Sequence, residues 1–319
     1  MTGSPPSESR LEIPDPLAVS HAKFFGDDGR AWITALPRLV EGCLERWRLR
    51  RDGPPTFGAV ALVLPVLLVD GTPAVLKLQP VDEETAGEPI ALRAWDGHGA
   101  VRLFRHDPTS GSMLLERLDA DRSLATVDDD LAALQILSEL LARLNAVPAP
   151  PGIRRLADIA AGMIDRVPHA LARVPEPSAR RLIQCCAAAV EELLPEAGDR
   201  LLHWDLHYDN VLSHPGRGLT DRREPWLAID PKPLAGDPGF ELLPALHNRW
   251  DDVVATGNVL RAIRMRFDLM TEVLDLDRRR AVGWTLGRVL QNVLWEVENA
   301  DTTWHSPDRA VVQALLGGH

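Results

Sequence analysis

Cysteine and lysine are the scarce residues of this 319-residue chain. Cys43, Cys185 and Cys186 are odd in number and form no C-x-x-C pair, which excludes a disulfide framework and argues against a structural zinc site. A reducing compartment suits them. No apolar run reaches the roughly 20 residues of a membrane helix; the longest, Ala59 to Val69, is interrupted by Pro65. A secretory start is missing too, since MTGSPPSESRLEIPDP has no apolar core and reads as a flexible leader. Net positive charge is also lacking. The formal charge of −11 disfavours nucleic acid, whose binding is dominated by contacts to phosphate. These absences predict a cytoplasmic protein that partners neither membrane nor nucleic acid. Of 35 basic residues only Lys23, Lys77 and Lys232 are lysines, so the position of each carries information.

What is present fits a soluble globular chain, 45% hydrophobic and 25% charged, forming one large domain or two of ordinary size. After an amphipathic stretch over 31–48, FGAVALVLPVLLVDGTPAVLKLQ (57–79) predicts two strands joined by a turn at Asp70-Gly71. EPIALRAW from Glu88 predicts a helix, and AVRLFR (100–105) and SMLLERL (112–118) predict two further strands. From Asp128 the pattern becomes helical, over 128–146, 155–173, 178–194, 257–274 and 278–299. Between these helices, RLLHW (200–204) and PWLAID (225–230) predict a hairpin across a connector rich in Gly, Pro and charge. Each run leads into an aspartate, Asp205 and Asp230, so two carboxylates are expected to meet at one edge.

The stretch LLHWDLHYDN (201–210) crowds two histidines, two aspartates and an asparagine beside leucines, which costs free energy unless every group is paired. Phosphoryl transfer explains it. A carboxylate must accept the proton of the attacking hydroxyl, and oxygen ligands must hold Mg²⁺ against the phosphates. Kinase catalytic loops follow H-x-D-x-x-x-x-N, the spacing of His203, Asp205 and Asn210. Asp230 stands where a second metal aspartate ends the following strand. Upstream, AVLK (74–77) supplies a strand lysine, Lys77, and Glu88 the helix glutamate that would hold it. Strand lysine, helix glutamate, apolar hinge, catalytic loop and metal aspartate follow the order of a two-lobed kinase.

HWDLHYDN together with AIDPKPLAGDPGFEL resembles the aminoglycoside phosphotransferases, and within them the streptomycin 6-phosphotransferase and hydroxyurea-resistance kinase group, from about Phe57 to Leu243 and more loosely to the end. The resemblance implies an α+β, protein-kinase-like fold: a leader over 1–30, a β-rich N-lobe over 31–115, a mostly helical C-lobe over 116–319, and ATP in the cleft between the lobes. It implies Asp205 as the base, Asn210 and Asp230 as Mg²⁺ ligands, Lys77 on the phosphates with Glu88 holding it, and His203 and His207 as loop support. The hinge would be Leu115–Leu118, with Glu116 and Leu118 pairing with adenine, and the turn near 56–59 would cover the phosphates with Gly58. The acceptor would be a small hydroxylated molecule, cationic if it is an aminoglycoside. Trp250, Asp251, Trp295 and Glu296 lie where this family builds its acceptor pocket.

Three positions depart from the family's pattern: Trp204 stands at a frequent glycine, the phosphate turn holds one glycine, and Ile229-Asp230-Pro231 replaces D-F-G, which predicts no activation-loop switch. Other readings stay open at this point. The 203–210 cluster also suits a satisfied polar turn or a metal site of His203, Asp205 and His207. Lys77 alone suits a snorkelling surface lysine, Glu88 a solvated helix start, and the acidic residues near Trp250 and Trp295 solvated helix faces. The acceptor could equally be hydroxyurea or a metabolic sugar, amino sugar or alcohol. From other classes come a nucleotide binder without catalysis and a zinc hydrolase.

Overall fold

The computed structural model of the chain describes residues 11–215, 224–299 and 306–317. They fall into two compact units, one of residues 1–82 and 102–117, the other of 83–101 and 118–319. The expected division, 31–115 against 116–319, thus differs in that residues 83–101, with the helix that begins at Glu88, group with the second unit.

The first unit pairs one long helical run with one sheet. Helix α1 (Asp15–Trp47) starts behind Pro14, breaks direction at Gly26 (φ 57°) and ends at Arg48 in the left-handed region. Its buried stripe of Leu17, Leu36, Val40 and Cys43 packs on the inward face of the sheet, Leu62, Leu64, Val66, Leu76 and Leu114. The leader expected over 1–30 is therefore corrected from Asp15 onward; its first ten residues lie outside the described residues. Leu17 and His21 are buried on one face of the helix. At Gly29 a Cβ would come within 2.2 Å of the His21 carbonyl, so glycine is required for that close return of the chain.

The sheet comprises β1 (Arg50–Arg51), β2 (Thr56–Phe57), β3 (Leu62–Leu67), β4 (Pro73–Leu78), β5 (Leu103–His106) and β6 (Met113–Glu116), in the order β1-β3-β4-β6-β5 with β2 on β3. The hairpin at Asp70-Gly71 forms as expected: Asp70 Oδ1 accepts the Thr72 N–H at 2.9 Å, Gly71 supplies φ 85°, and Val63 faces Lys77 across the ladder. Ser20 Oγ donates to the Ala59 carbonyl, and His21 Nε2 bonds the Val60 carbonyl at 2.8 Å. The start of α1 is thereby fastened to the chain just after Gly58.

The second unit begins with α2 (Glu88–Trp95), followed by β7 (Asp119–Ser123), α3 (Asp130–Asn145), β8 (Arg154–Arg155), α4 (Leu156–Arg173), α5 (Pro177–Leu193) and β9 (Arg200–Leu202). Then come β10 (Val211–Ser213), β11 (Trp226–Ala228), β12 (Leu234–Gly236), α6 (Leu243–His247), α7 (Trp250–Ala255), α8 (Val259–Val273), α9 (Arg278–Glu298) and α10 (Ser306–Leu316). Side-chain caps from Asp129, Asn258 and Asp277 start α3, α8 and α9, each accepting an N–H of the first turn. α9 is buried along most of its length, Trp284, Val289, Leu290 and Leu294 included, and packs against α4 and α5.

The hairpin expected between 200–204 and 225–230 does not form. β9 pairs with β12, and β11 pairs with β10, giving two three-stranded sheets, β11-β10-β7 and β8-β12-β9. The missed strands, β10 and β12, are three residues each, too short for an alternation to register; β10 directly follows Asn210 and β12 lies inside AIDPKPLAGDPGFEL. Of the connector, 216–223 lie outside the described residues.

Candidate active site

β9 carries the chain inward, so that His203 and Trp204 are almost entirely buried. His203 Nε2 sits 2.9 Å from the Ile229 carbonyl. A carbonyl only accepts, so Nε2 carries the proton. Burial pulls the His203 pKa down to about 4, against the opposing pull of Asp205 and the Ile229 carbonyl, and the ring stays neutral. Two further bonds stitch the 203–210 loop to the segment after β11, and a third braces the loop itself. Ile229 N–H donates to the Asn210 carbonyl at 2.9 Å, Lys232 N–H donates to the His203 carbonyl at 3.0 Å, and Asn210 Nδ2 donates to the Asp205 carbonyl at 2.9 Å. His207 Nδ1 accepts the Asp209 N–H at 3.3 Å and caps the short turn Tyr208–Asn210. Both histidines are thus committed to loop bonds. The loop and the segment holding Asp230 are brought together.

Lys232 Nζ lies 3.1 Å from Asp205 Oδ2, an ion pair not foreseen in the sequence. Burial alone would lower its pKa, but the Asp205 charge, then Glu84 and Asp230, raise it. The signal that could have found it was its rarity among the basic residues.

Trp204 and Asp230 both stand in the left-handed region, at φ 69° and 57°. Aspartate visits that region with little strain; tryptophan does not. The Trp204 N–H donates to Glu241 Oε1 at 2.7 Å, and Glu241 is completely buried. Burial pushes the Glu241 carboxyl up to about 7, with the Trp204 N–H pulling the other way. The guanidinium carbons of Arg154 and Arg288 lie 5.1 and 4.9 Å from the Trp204 ring centroid, and Trp295 meets it edge-on at 6.2 Å. Arg288 is 8% exposed and bonds Gln291 and Asn292; burial lowers its pKa to about 10.

A glycine at 204 would release roughly 1–2 kcal/mol of left-handed strain but lose a buried tryptophan worth about 3–5 kcal/mol. Packing wins. Trp204→Gly is therefore expected to lower stability by about 2 kcal/mol and the melting temperature by about 5 °C, read by thermal unfolding. An unchanged or higher melting temperature would mean that strain dominates.

The remaining predicted residues fall as follows. Lys77 is buried on β4 and Glu88 is buried at the start of α2, so neither is a solvated surface charge. Gly58 follows β2, where its N–H donates to the Ala61 carbonyl at 3.0 Å. Glu116 ends β6 and accepts the Arg102 N–H at 3.1 Å; Leu118 is buried. The boundary between the two units falls between Arg117 and Leu118, inside the expected hinge. Trp295 and Glu296 lie on α9, with Trp295 against Trp204. Trp250 and Asp251 lie on α7.

The donor set suits magnesium. Asn210 uses its amide nitrogen on the Asp205 carbonyl, which leaves its oxygen for a cation, and Asp230 adds a carboxylate. Two oxygen ligands are an incomplete set that phosphate oxygens and water complete around a hard cation. Among the described residues, no group of three or more His, Cys, Asp or Glu side chains is placed to hold a metal. No helix among them is long and apolar enough to cross a membrane.

A family model described as aminoglycoside/hydroxyurea antibiotic resistance kinase matches residues 46–300. A streptomycin 6-kinase of Streptomyces glaucescens is 57% identical over 312 residues, covering 98% of this chain and 99% of the relative. A hydroxyurea phosphotransferase of Kitasatospora aureofaciens is 52% identical over 309 residues, 96% of this chain and 86% of the relative. Among solved structures, aminoglycoside phosphotransferase APH(4)-Ia, in a ternary complex with ADP and hygromycin B, superposes with a TM-score of 0.56 at 12% identity, over 87% of this chain and 98% of that one. Choline kinase LicA from Streptococcus pneumoniae gives 0.52 at 11%, over 89% and 98%. The distant structures share the kinase-like fold, the match from 46 to 300 spans both units, and the chain belongs to the aminoglycoside/hydroxyurea antibiotic resistance kinases.

Proposed function

We propose that this kinase transfers the γ-phosphoryl group of Mg-ATP to the 6-hydroxyl of streptomycin. The observation that supports the reading is the pair of backbone bonds that join the 203–210 loop to the segment after β11, the two segments on which Asp205, Asn210 and Asp230 would act as base and metal ligands. Asp205 accepts the proton of the acceptor hydroxyl as its oxygen bonds the γ-phosphorus; the bond to the bridging oxygen breaks and its electrons leave with ADP. Asn210 and Asp230 would hold Mg²⁺, which neutralises phosphate charge when bound. Lys77 would hold the α- and β-phosphates. His203 and His207 hold the loop in shape and move no proton.

The acceptor follows the more similar relative, at 57% identity, over the hydroxyurea phosphotransferase at 52%. The five-point margin supports a second reading, in which hydroxyurea is the acceptor. ADP release by the purified chain with Mg-ATP and streptomycin, hydroxyurea or other hydroxylated acceptors tests both. The expected result is streptomycin-dependent release and a product phosphorylated at the 6-hydroxyl, assigned by phosphorus and proton NMR. Release with hydroxyurea alone would replace the acceptor and keep the kinase. Silence with every acceptor would overturn the reading.

A further inference from the structure

The ion pair between Lys232 and Asp205 has no evident structural purpose. Lys232 is 37% exposed along its side chain and Asp205 26%, and pairs so open to water contribute little to stability. The lysine is nonetheless held firmly. Its own N–H donates to the His203 carbonyl two residues before Asp205, so the loop that carries the base also fixes the backbone of the cation. Pro231 and Pro233 flank it and are both buried, which restricts the dihedrals on either side. A residue this constrained at its backbone delivers its ammonium to one place.

That place is at Asp205 Oδ2, on a segment that carries Asp230 two residues earlier. The charges acting on Lys232 are Asp205 from the 203–210 loop, Asp230 two residues earlier in its own segment, and Glu84 from the chain before α2. Arg288 on α9 also acts on Asp205 but is paired with amide oxygens of its own helix. With the acceptor oxygen at Asp205 and the phosphates at Asp230, the group in transfer must pass between these two carboxylates.

We infer that Lys232 is the cation of the transfer step: it holds Asp205 by Oδ2 before the reaction and pairs with the oxygens of the passing phosphoryl group as Asp205 takes up the acceptor's proton. This rests on the kinase reading above. The charges balance: Asp205 loses its negative charge to the proton, the freed ammonium meets the charge on the equatorial phosphoryl oxygens, and the bond to ADP breaks as the new P–O bond forms. A point charge at the reacting group stabilises the transition state more than the bound substrates, so its loss shows in kcat and leaves KM alone.

The experiment compares full-length wild type, Lys232→Met and Lys232→Arg by ADP release, with whichever acceptor the wild type uses fastest. Lys232→Met is expected to lower kcat about 100-fold, with KM for ATP and acceptor within about threefold of wild type and the melting temperature within about 2 °C. Lys232→Arg, which restores the charge, is expected to recover to within about tenfold of wild type. The inference is overturned if Lys232→Met keeps its kcat, if the loss lies in KM, or if its melting temperature falls by more than about 5 °C, which would make the residue structural. Wild-type turnover of an acceptor other than streptomycin would overturn only the acceptor assignment, and the Lys232 comparison then decides the inference on that acceptor. No wild-type turnover with any acceptor would overturn both.

Discussion

Asp205→Asn is expected to lower kcat about 10³-fold, or about 4 kcal/mol of transition-state stabilisation, while Mg-ATP still binds. Asparagine has the shape of aspartate and keeps an oxygen that can accept a hydrogen bond from Lys232, now 3.1 Å from Oδ2. The Asn210 amide bonds the backbone carbonyl at 205, which the substitution does not touch, so the loop should survive. What disappears is the proton acceptor. ATP binding by calorimetry and turnover by ADP release separate the two effects. An enzyme with more than about a tenth of wild-type kcat would remove Asp205 from the role of base, because proton transfer at a positioned carboxylate is worth at least 10²-fold.

The second large effect concerns stability and lies beneath the same loop. Burial raises the Glu241 carboxyl from 4.5 to about 7. Between those values the folded protein binds a proton that the unfolded chain does not, so stability falls as pH rises through the window, and the full cost stands above pH 7. His203 runs the other way. Its pKa drops from 6.5 to about 4, so the unfolded chain binds the extra proton and stability is lost as pH falls from 6.5 to 4. The two slopes nearly cancel between about pH 4.5 and 6.5, where each shift is worth about 3 kcal/mol.

Single substitutions should expose what the pair conceals. Glu241→Gln keeps an oxygen for the Trp204 N–H and is expected to be more stable than wild type by up to about 3 kcal/mol at pH 8, with the gain vanishing near pH 4.5. His203→Gln can still donate to the Ile229 carbonyl and should lose the acid lability between pH 6.5 and 4. Urea midpoints across pH 4.5–8 read both curves. Glu241→Gln with no gain at pH 8 would show that the carboxylate is solvated in a way its burial does not suggest.

Much of this arrangement was legible in the sequence because the signals were long or strictly spaced. α3, α4, α5, α8 and α9 lie within a residue or two of the segments with helical spacing, since each repeats its apolar face over four or more turns. The Asp-Gly turn sets the β3–β4 register, and H-x-D-x-x-x-x-N puts His203, Asp205 and Asn210 on one loop. The losses were in short or distant pairings. β10 and β12 are too brief to show a period, so β9 and β11 were paired with each other. The start of α1 at Asp15 was hidden because the segment before it, rich in proline and without an apolar core, read as a leader. The contact between Lys232 and Asp205 spans 27 positions and depends on β12 joining β9, a pairing with no local cue. Trp204 could be seen to replace a glycine, but its left-handed backbone and its two guanidinium neighbours could be seen only in space.

The clasp of Ser20 and His21 on the carbonyls of Ala59 and Val60 bears on how this chain should be handled. Kinases commonly leave the turn above the phosphates supple and furnish it with several glycines. Here that turn has one glycine and a splint supplied from 39 residues away. The beginning of a protein is usually free ground for affinity tags, fusions and trimmed boundaries. In this one, a boundary moved past Ser20 would unfasten the turn proposed to meet ATP, so the choice of starting residue is also a choice about nucleotide affinity.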